Sequence, residues 1–80
     1  MGDNERKLRS IFAEVLRVGE EEICDQTAYE KTMGWDSVAH MTLVAALDFN
    51  FNLMIETDDV LDLSSYPKAK EILRKYGVQI

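Results

Sequence analysis

A chain of 80 residues has room for one small domain, residues 1–80, and none for a dinucleotide-binding fold with a substrate domain or for a closed βα barrel. Hydrophobic residues reach 46%, enough to pack a core and too many for a disordered chain. Nine basic residues stand against fifteen acidic ones, a net charge of −6, which argues against general nucleic-acid binding, where cations must replace the counterions around phosphates.

The lone cysteine, Cys24, excludes an internal disulfide and a multi-cysteine zinc site. Residues 1–5 carry no apolar leader, Arg6 stands where a myristoylation signal wants Ser or Thr, and no apolar run approaches a membrane span. The expectation is a cytoplasmic monomer that does not insert in membranes. The charge is also uneven. Residues 19–65 carry Lys31 alone against eleven acids, while both ends of the chain are mildly cationic. An anionic middle of that strength attracts basic partners.

Residues 4–17 are predicted helical, because Leu8, Ile11, Phe12, Val15 and Leu16 recur on one face. Asp3 or Asn4 is expected to cap this helix and Gly19 to stop it. Residues 20–35 lack a period. Ile23 and Tyr29 are expected to anchor them, and sixteen residues is long enough that the loop is functional or holds a helical turn. Asp36 or Ser37 opens a second helix running to about Asn50, with Leu43, Val44, Leu47 and Phe51 inward. Met54 and Ile55 are assigned as anchors of the following loop. Thr57 is expected to cap a short helix over residues 57–61, with acids in its first turn. Ser65 caps the last helix, Pro67 fits its first turn, and Gly77 ends it. Ala69, Ile72, Leu73 and Tyr76 face inward there. No alternating strand pattern is present, so the expected fold class is all-α: a small bundle of three long helices and one short one.

Gly34-Trp35-Asp36-Ser37-Val38 is the most informative stretch. It places a serine hydroxyl at the start of an amphipathic helix, where the helix dipole favours a phosphate. Asp36 and Ser37 as plain helix caps explain the same residues.

From Gly34 to Leu73 the chain resembles an acyl carrier protein, the discrete form of the carrier domains of fatty-acid, polyketide and peptide synthesis. The resemblance rests on Gly34-x-Asp36-Ser37-Val38, then Leu43, Val44, Leu47 and Phe51, then Ile55, Asp58-Asp59-Val60 and Leu63-x-Ser65. It implies that Ser37 carries 4′-phosphopantetheine, attached from coenzyme A by a separate phosphopantetheinyl transferase. It further implies that Asp36 assists the Mg²⁺-dependent transfer, and that the arm holds acyl or aminoacyl groups as thioesters. On that basis the protein is a carrier, not an enzyme. Trp35 and Val38 are expected beside the attachment point, Trp35 either as a loop anchor packed on the bundle or in contact with the arm or a partner. Met41, Val60 and Leu61 are expected to shelter an acyl chain. Asp48, Glu56, Asp58, Asp59 and Asp62 are expected to dock loading and transfer enzymes through their basic patches.

Several second-helix positions that carry acids in the family are neutral here: Ala39, His40, Thr42 and Ala46, with Phe49 at another. This points to a dedicated lipid, polyketide or related pathway rather than bulk fatty-acid synthesis. A small acidic adaptor without a covalent group is the alternative. Asp48 to Asp59 imitates a calcium loop, but Leu53 stands where its sharp turn wants glycine. Asp36, Ser37 and His40 do not make a hydrolase, since an open helix face offers no oxyanion hole and His40 is expected in solvent.

Overall fold

The computed structural model describes residues 2–80; the expectations that involve Met1 lie outside them. Four α-helices follow in order: α1 (Asp3–Leu16), α2 (Ser37–Phe51), α3 (Thr57–Asp62) and α4 (Tyr66–Lys75). A 3₁₀ turn at Glu20–Glu22 interrupts the long loop. The chain is all-helical in class, with no β-strand among the described residues and one isolated bridge between Ala28 and Ser65. Leu8, Ile11, Phe12, Ala13 and Leu16 of α1 meet Leu43, Val44 and Leu47 of α2 and Tyr66, Ala69, Ile72 and Leu73 of α4 in one core. At its centre the Phe12 ring stands edge-on to Trp35 and to Tyr66, with centroids 5.3 and 5.1 Å apart. This arrangement adds favourable quadrupole contact to apolar burial.

Three helix ends share one device. After α1, α2 and α4 a residue in the left-handed conformation (Arg17, Asn52, Gly77) reverses the chain. The next amide then bonds back over five residues: Val18 to Ala13, Leu53 to Asp48, Val78 to Leu73. Each donor belongs to an apolar residue packed on the core, the hydrophobic contact that accompanies this type of cap. Gly19 therefore does not stop α1, as its residue type suggested. It is extended at φ −73° and begins the 3₁₀ turn, its amide donating to Glu22 Oε2. Two further caps differ from expectation. Gly2, not Asp3 or Asn4, precedes α1, and Glu56, not Thr57, precedes α3; neither end has a side-chain cap bond. Asn4 instead donates to the Gln79 carbonyl. Asp36 and Ser65 cap as expected, accepting from the amides of Ala39 and Lys68.

The acidic loop is held by a cation and by backbone. Arg9 Nη1 donates to the carbonyls of Glu20 and Ile23, and its guanidinium lies over the Tyr66 ring. Ile23 is buried, and the amides of Tyr29 and Tyr66 donate to Ser64 and Thr27 across the isolated bridge. Met54 is no anchor: it is 87% exposed, and Ile55 alone of that pair packs inward.

Asp59 locks α3 to the end of α4. It is buried at 7% exposure. Lys75 Nζ donates to both of its oxygens at 2.9 and 3.0 Å, and the Tyr76 hydroxyl donates at 2.6 Å while accepting from the Glu56 amide. The Tyr76 hydroxyl first, then Lys75, holds the carboxyl below its ordinary value of 3.8. A carboxylate depressed in the folded state stabilises the fold above its unfolded value, and that stabilisation is lost as pH falls through the folded value. Urea unfolding at descending pH is therefore expected to show wild type weakening below about pH 4. Asp59→Asn is expected to start less stable at pH 7 and to have a flatter acid limb. Parallel acid limbs would refute the role of this carboxylate.

Candidate functional site

The site is assembled where the long loop enters α2. The left-handed turn at Gly34, φ +91°, sends the chain inward at Trp35 and outward again at Asp36. Asp36 Oδ1 then accepts from the Ala39 amide at 2.9 Å and fixes the first turn of α2. Ser37 is the first helical residue and is exposed. Its own amide and that of Val38 have no intrahelical acceptor, as in the opening turn of any helix.

Trp35 packs into the bundle as a loop anchor. It is 1% exposed, and its indole contacts Phe12, Tyr29 and His40. The physical reason is size: the bundle has a large apolar centre to fill, and burial of an indole with its N–H bonded outweighs any use at the surface. That N–H donates to His40 Nδ1 at 3.0 Å, and His40 Nε2 lies 2.8 Å from the Val60 carbonyl. An acceptor at Nδ1 and a carbonyl at Nε2 leave one arrangement, with the proton on Nε2. His40 is thus half-buried and ties loop, α2 and α3 together, contrary to the expectation of a solvent-facing imidazole.

The remaining expected residues divide. Val38 is exposed beside Ser37. Met41 and Leu61 are 59% and 77% exposed, and Val60 is half-buried. A cleft of about 390 Å³ beside Ser37 is lined by residues that include Leu16, Arg17, Gly34, Asp36, Val38 and Thr42, and by none of Met41, Val60 and Leu61. Of the docking acids, Glu56, Asp58 and Asp62 are exposed. Asp48 is half-buried and accepts from the Ile55 amide; Asp62 pairs with Lys68 at 3.2 Å. Asp59 is withdrawn from that surface altogether, because its two oxygens are consumed by Lys75 and Tyr76. Sequence reasoning missed two residues: His40, and Tyr29, whose hydroxyl lies 3.1 Å from Ser37 Oγ. Neither carries a local signal, since both act through partners brought up by the fold.

The described residues form a small helical bundle with Ser37 exposed at the start of α2. Over residues 6–73 the chain matches the family model described as the phosphopantetheine attachment site. It is 28% identical over 68 residues to an acyl carrier protein of Cyanidium caldarium, covering 85% of this chain and 79% of that protein. It is 26% identical over 76 residues to an acyl carrier protein of Buchnera aphidicola subsp. Baizongia pistaciae (strain Bp), covering 95% and 97%. The chain belongs to the acyl carrier protein family, whose prosthetic group is 4′-phosphopantetheine. Among the described residues no helix is long and apolar enough to cross a membrane.

Proposed function

We propose that Ser37 is the attachment residue and that the protein carries acyl or aminoacyl groups for a dedicated lipid, polyketide or related pathway. The observation that carries this reading is the exposed hydroxyl at the first position of α2, next to an aspartate already oriented by its cap bond. The residues fit the group. Two unpaired amides and the positive helix end favour a phosphodiester there. Asp36 has one oxygen committed to Ala39, and its other oxygen would serve as a hard ligand for Mg²⁺ in the transfer. When bound, the arm supplies a terminal thiol that holds cargo as a thioester. Glu56 and Asp58 offer charge to basic enzyme patches. Phe49 is exposed on α2 at a position where the family more often has an acid, which supports a partner set of its own.

Intact mass tests the assignment. Incubation with coenzyme A, Mg²⁺ and a broad-specificity phosphopantetheinyl transferase is expected to add one phosphopantetheinyl group to wild type and none to Ser37→Ala, which unfolds at the wild-type temperature. No gain on wild type would favour the acidic adaptor. Loading and elongation by housekeeping fatty-acid enzymes at the rates of their own carrier would refute the dedicated pathway.

A further inference from the structure

The turn that carries Tyr29 is closed by hydrogen bonds of Tyr29 and of both its neighbours. The Tyr29 amide donates to the Ser64 carbonyl at 3.0 Å. The neighbouring Ala28 amide donates to Thr32 Oγ1 at 2.9 Å, and the Glu30 amide donates to the Trp35 carbonyl at 2.9 Å. Glu30 takes a left-handed φ of 60° to close this turn. The Tyr29 ring stands edge-on to Trp35 and to His40, with centroids 6.2 and 5.1 Å away. Those two side chains are themselves joined by a hydrogen bond and tied to α3 through Val60. Backbone and ring are thus fixed from several directions, and the hydroxyl is directed to Ser37 Oγ at 3.1 Å. A hydrogen bond this exposed adds little to folding. Its effect is on where the serine oxygen points.

We propose that Tyr29 is a positioning residue for modification of Ser37, and that its hydroxyl then donates to the phosphodiester at the root of the arm. The inference rests on Ser37 being the attachment residue. In the transfer, Ser37 Oγ forms a bond to the β-phosphorus of coenzyme A while the pyrophosphate P–O bond breaks. Adenosine 3′,5′-bisphosphate leaves, and the serine proton passes to the transferase or solvent. Tyr29 takes no part in the bond changes. Either hydroxyl can donate in this bond, which holds Ser37 Oγ in one rotamer; with Tyr29 as donor the serine proton is turned outward. After transfer, the phosphate oxygens offer the same donor an anionic acceptor, a stronger bond than the neutral one it replaces.

Tyr29→Phe removes one oxygen at the surface and keeps the packed ring. With the transferase, kcat for this variant is expected to fall about three- to tenfold, the range of one exposed hydrogen bond, with KM little changed. The ³¹P resonance of its loaded form is expected to move from the wild-type position, a response that a merely structural role would not produce. The unsubstituted chain labelled with ¹³C-tyrosine gives an independent reading: the Cζ resonance of Tyr29 shifts on loading, while those of Tyr66 and Tyr76 stay. A Tyr29→Phe rate within twofold of wild type, an unmoved ³¹P resonance or an unmoved Cζ resonance would each overturn the proposal. If wild type itself gains no mass, the attachment assignment fails instead, so the two failures are distinguishable.

Discussion

Trp35→Ala is expected to cost about 3–5 kcal/mol, the range for deleting a large buried aromatic side chain. The indole fills the space between Phe12, Tyr29 and His40, and alanine leaves a cavity at the centre of a small core. It also strands His40 Nδ1, whose donor is the indole N–H. Domains of this kind are stable by about 5–15 kcal/mol in total, and small ones lie toward the low end, so the variant is expected to be partly unfolded at 37 °C. Urea unfolding followed by far-UV circular dichroism measures the loss; Trp35 is the only tryptophan, so fluorescence reports on wild type alone. Trp35→Phe retains most of the packing but not the hydrogen bond, and is expected to lie between the two. A Trp35→Ala loss of less than about 1 kcal/mol, the scale of an ordinary surface change, would contradict a core role.

Gly34→Ala carries the second large effect. Its φ of +91° is strained for any residue with a Cβ, and that Cβ would lie 2.8 Å from the carbonyl oxygen of Leu16. The obstacle is backbone in the last turn of α1 and cannot rotate away, so either the loop or the helix end must move. The expected cost is about 2–3 kcal/mol, within the range for a residue forced into such a conformation. Gly77 supplies the control: it has nearly the same φ, +89°, and nothing within 4 Å of the Cβ position. Gly77→Ala is therefore expected to cost only the left-handed backbone penalty, about 1 kcal/mol. Because Gly34 lies three residues before Ser37, its substitution is also expected to slow loading, whereas Gly77→Ala is not. Equal destabilisation by the two substitutions would show that the close approach to Leu16 has no consequence.

The helices and the exposed serine at the start of α2 were legible in the chain itself for a common reason, that their signals are local. Leu8, Ile11, Phe12 and Leu16 repeat at helical spacing and all four are buried. Asp36 and Ser65 are short polar residues at helix starts, and each accepts the amide three positions on. Ser37 follows Asp36 at a helix start, a placement set within one turn of chain.

Local preference decided less elsewhere. α1 ends at Arg17, before the glycine, because burying Val18 and closing its amide onto Ala13 stabilises the earlier exit. α2 is apolar on two sides: Leu43, Val44 and Leu47 are inside, as their spacing predicts, but Val38, Met41 and Phe49 stay outside, so apolar character alone does not mark the buried face. Trp35, His40 and Asp59 are amphipathic or charged groups whose place depends on partners remote in sequence: Phe12, Val60, Lys75 and Tyr76. From its residue order alone the chain determined where helices form and which hydroxyl stands at the start of α2. Tertiary structure decided which polar groups were withdrawn from the surface and which hydroxyl, that of Tyr29, came to face Ser37. Periodicity and capping act within a turn or two of chain. The partners that bury a carboxylate or aim a phenol are selected only when distant segments meet.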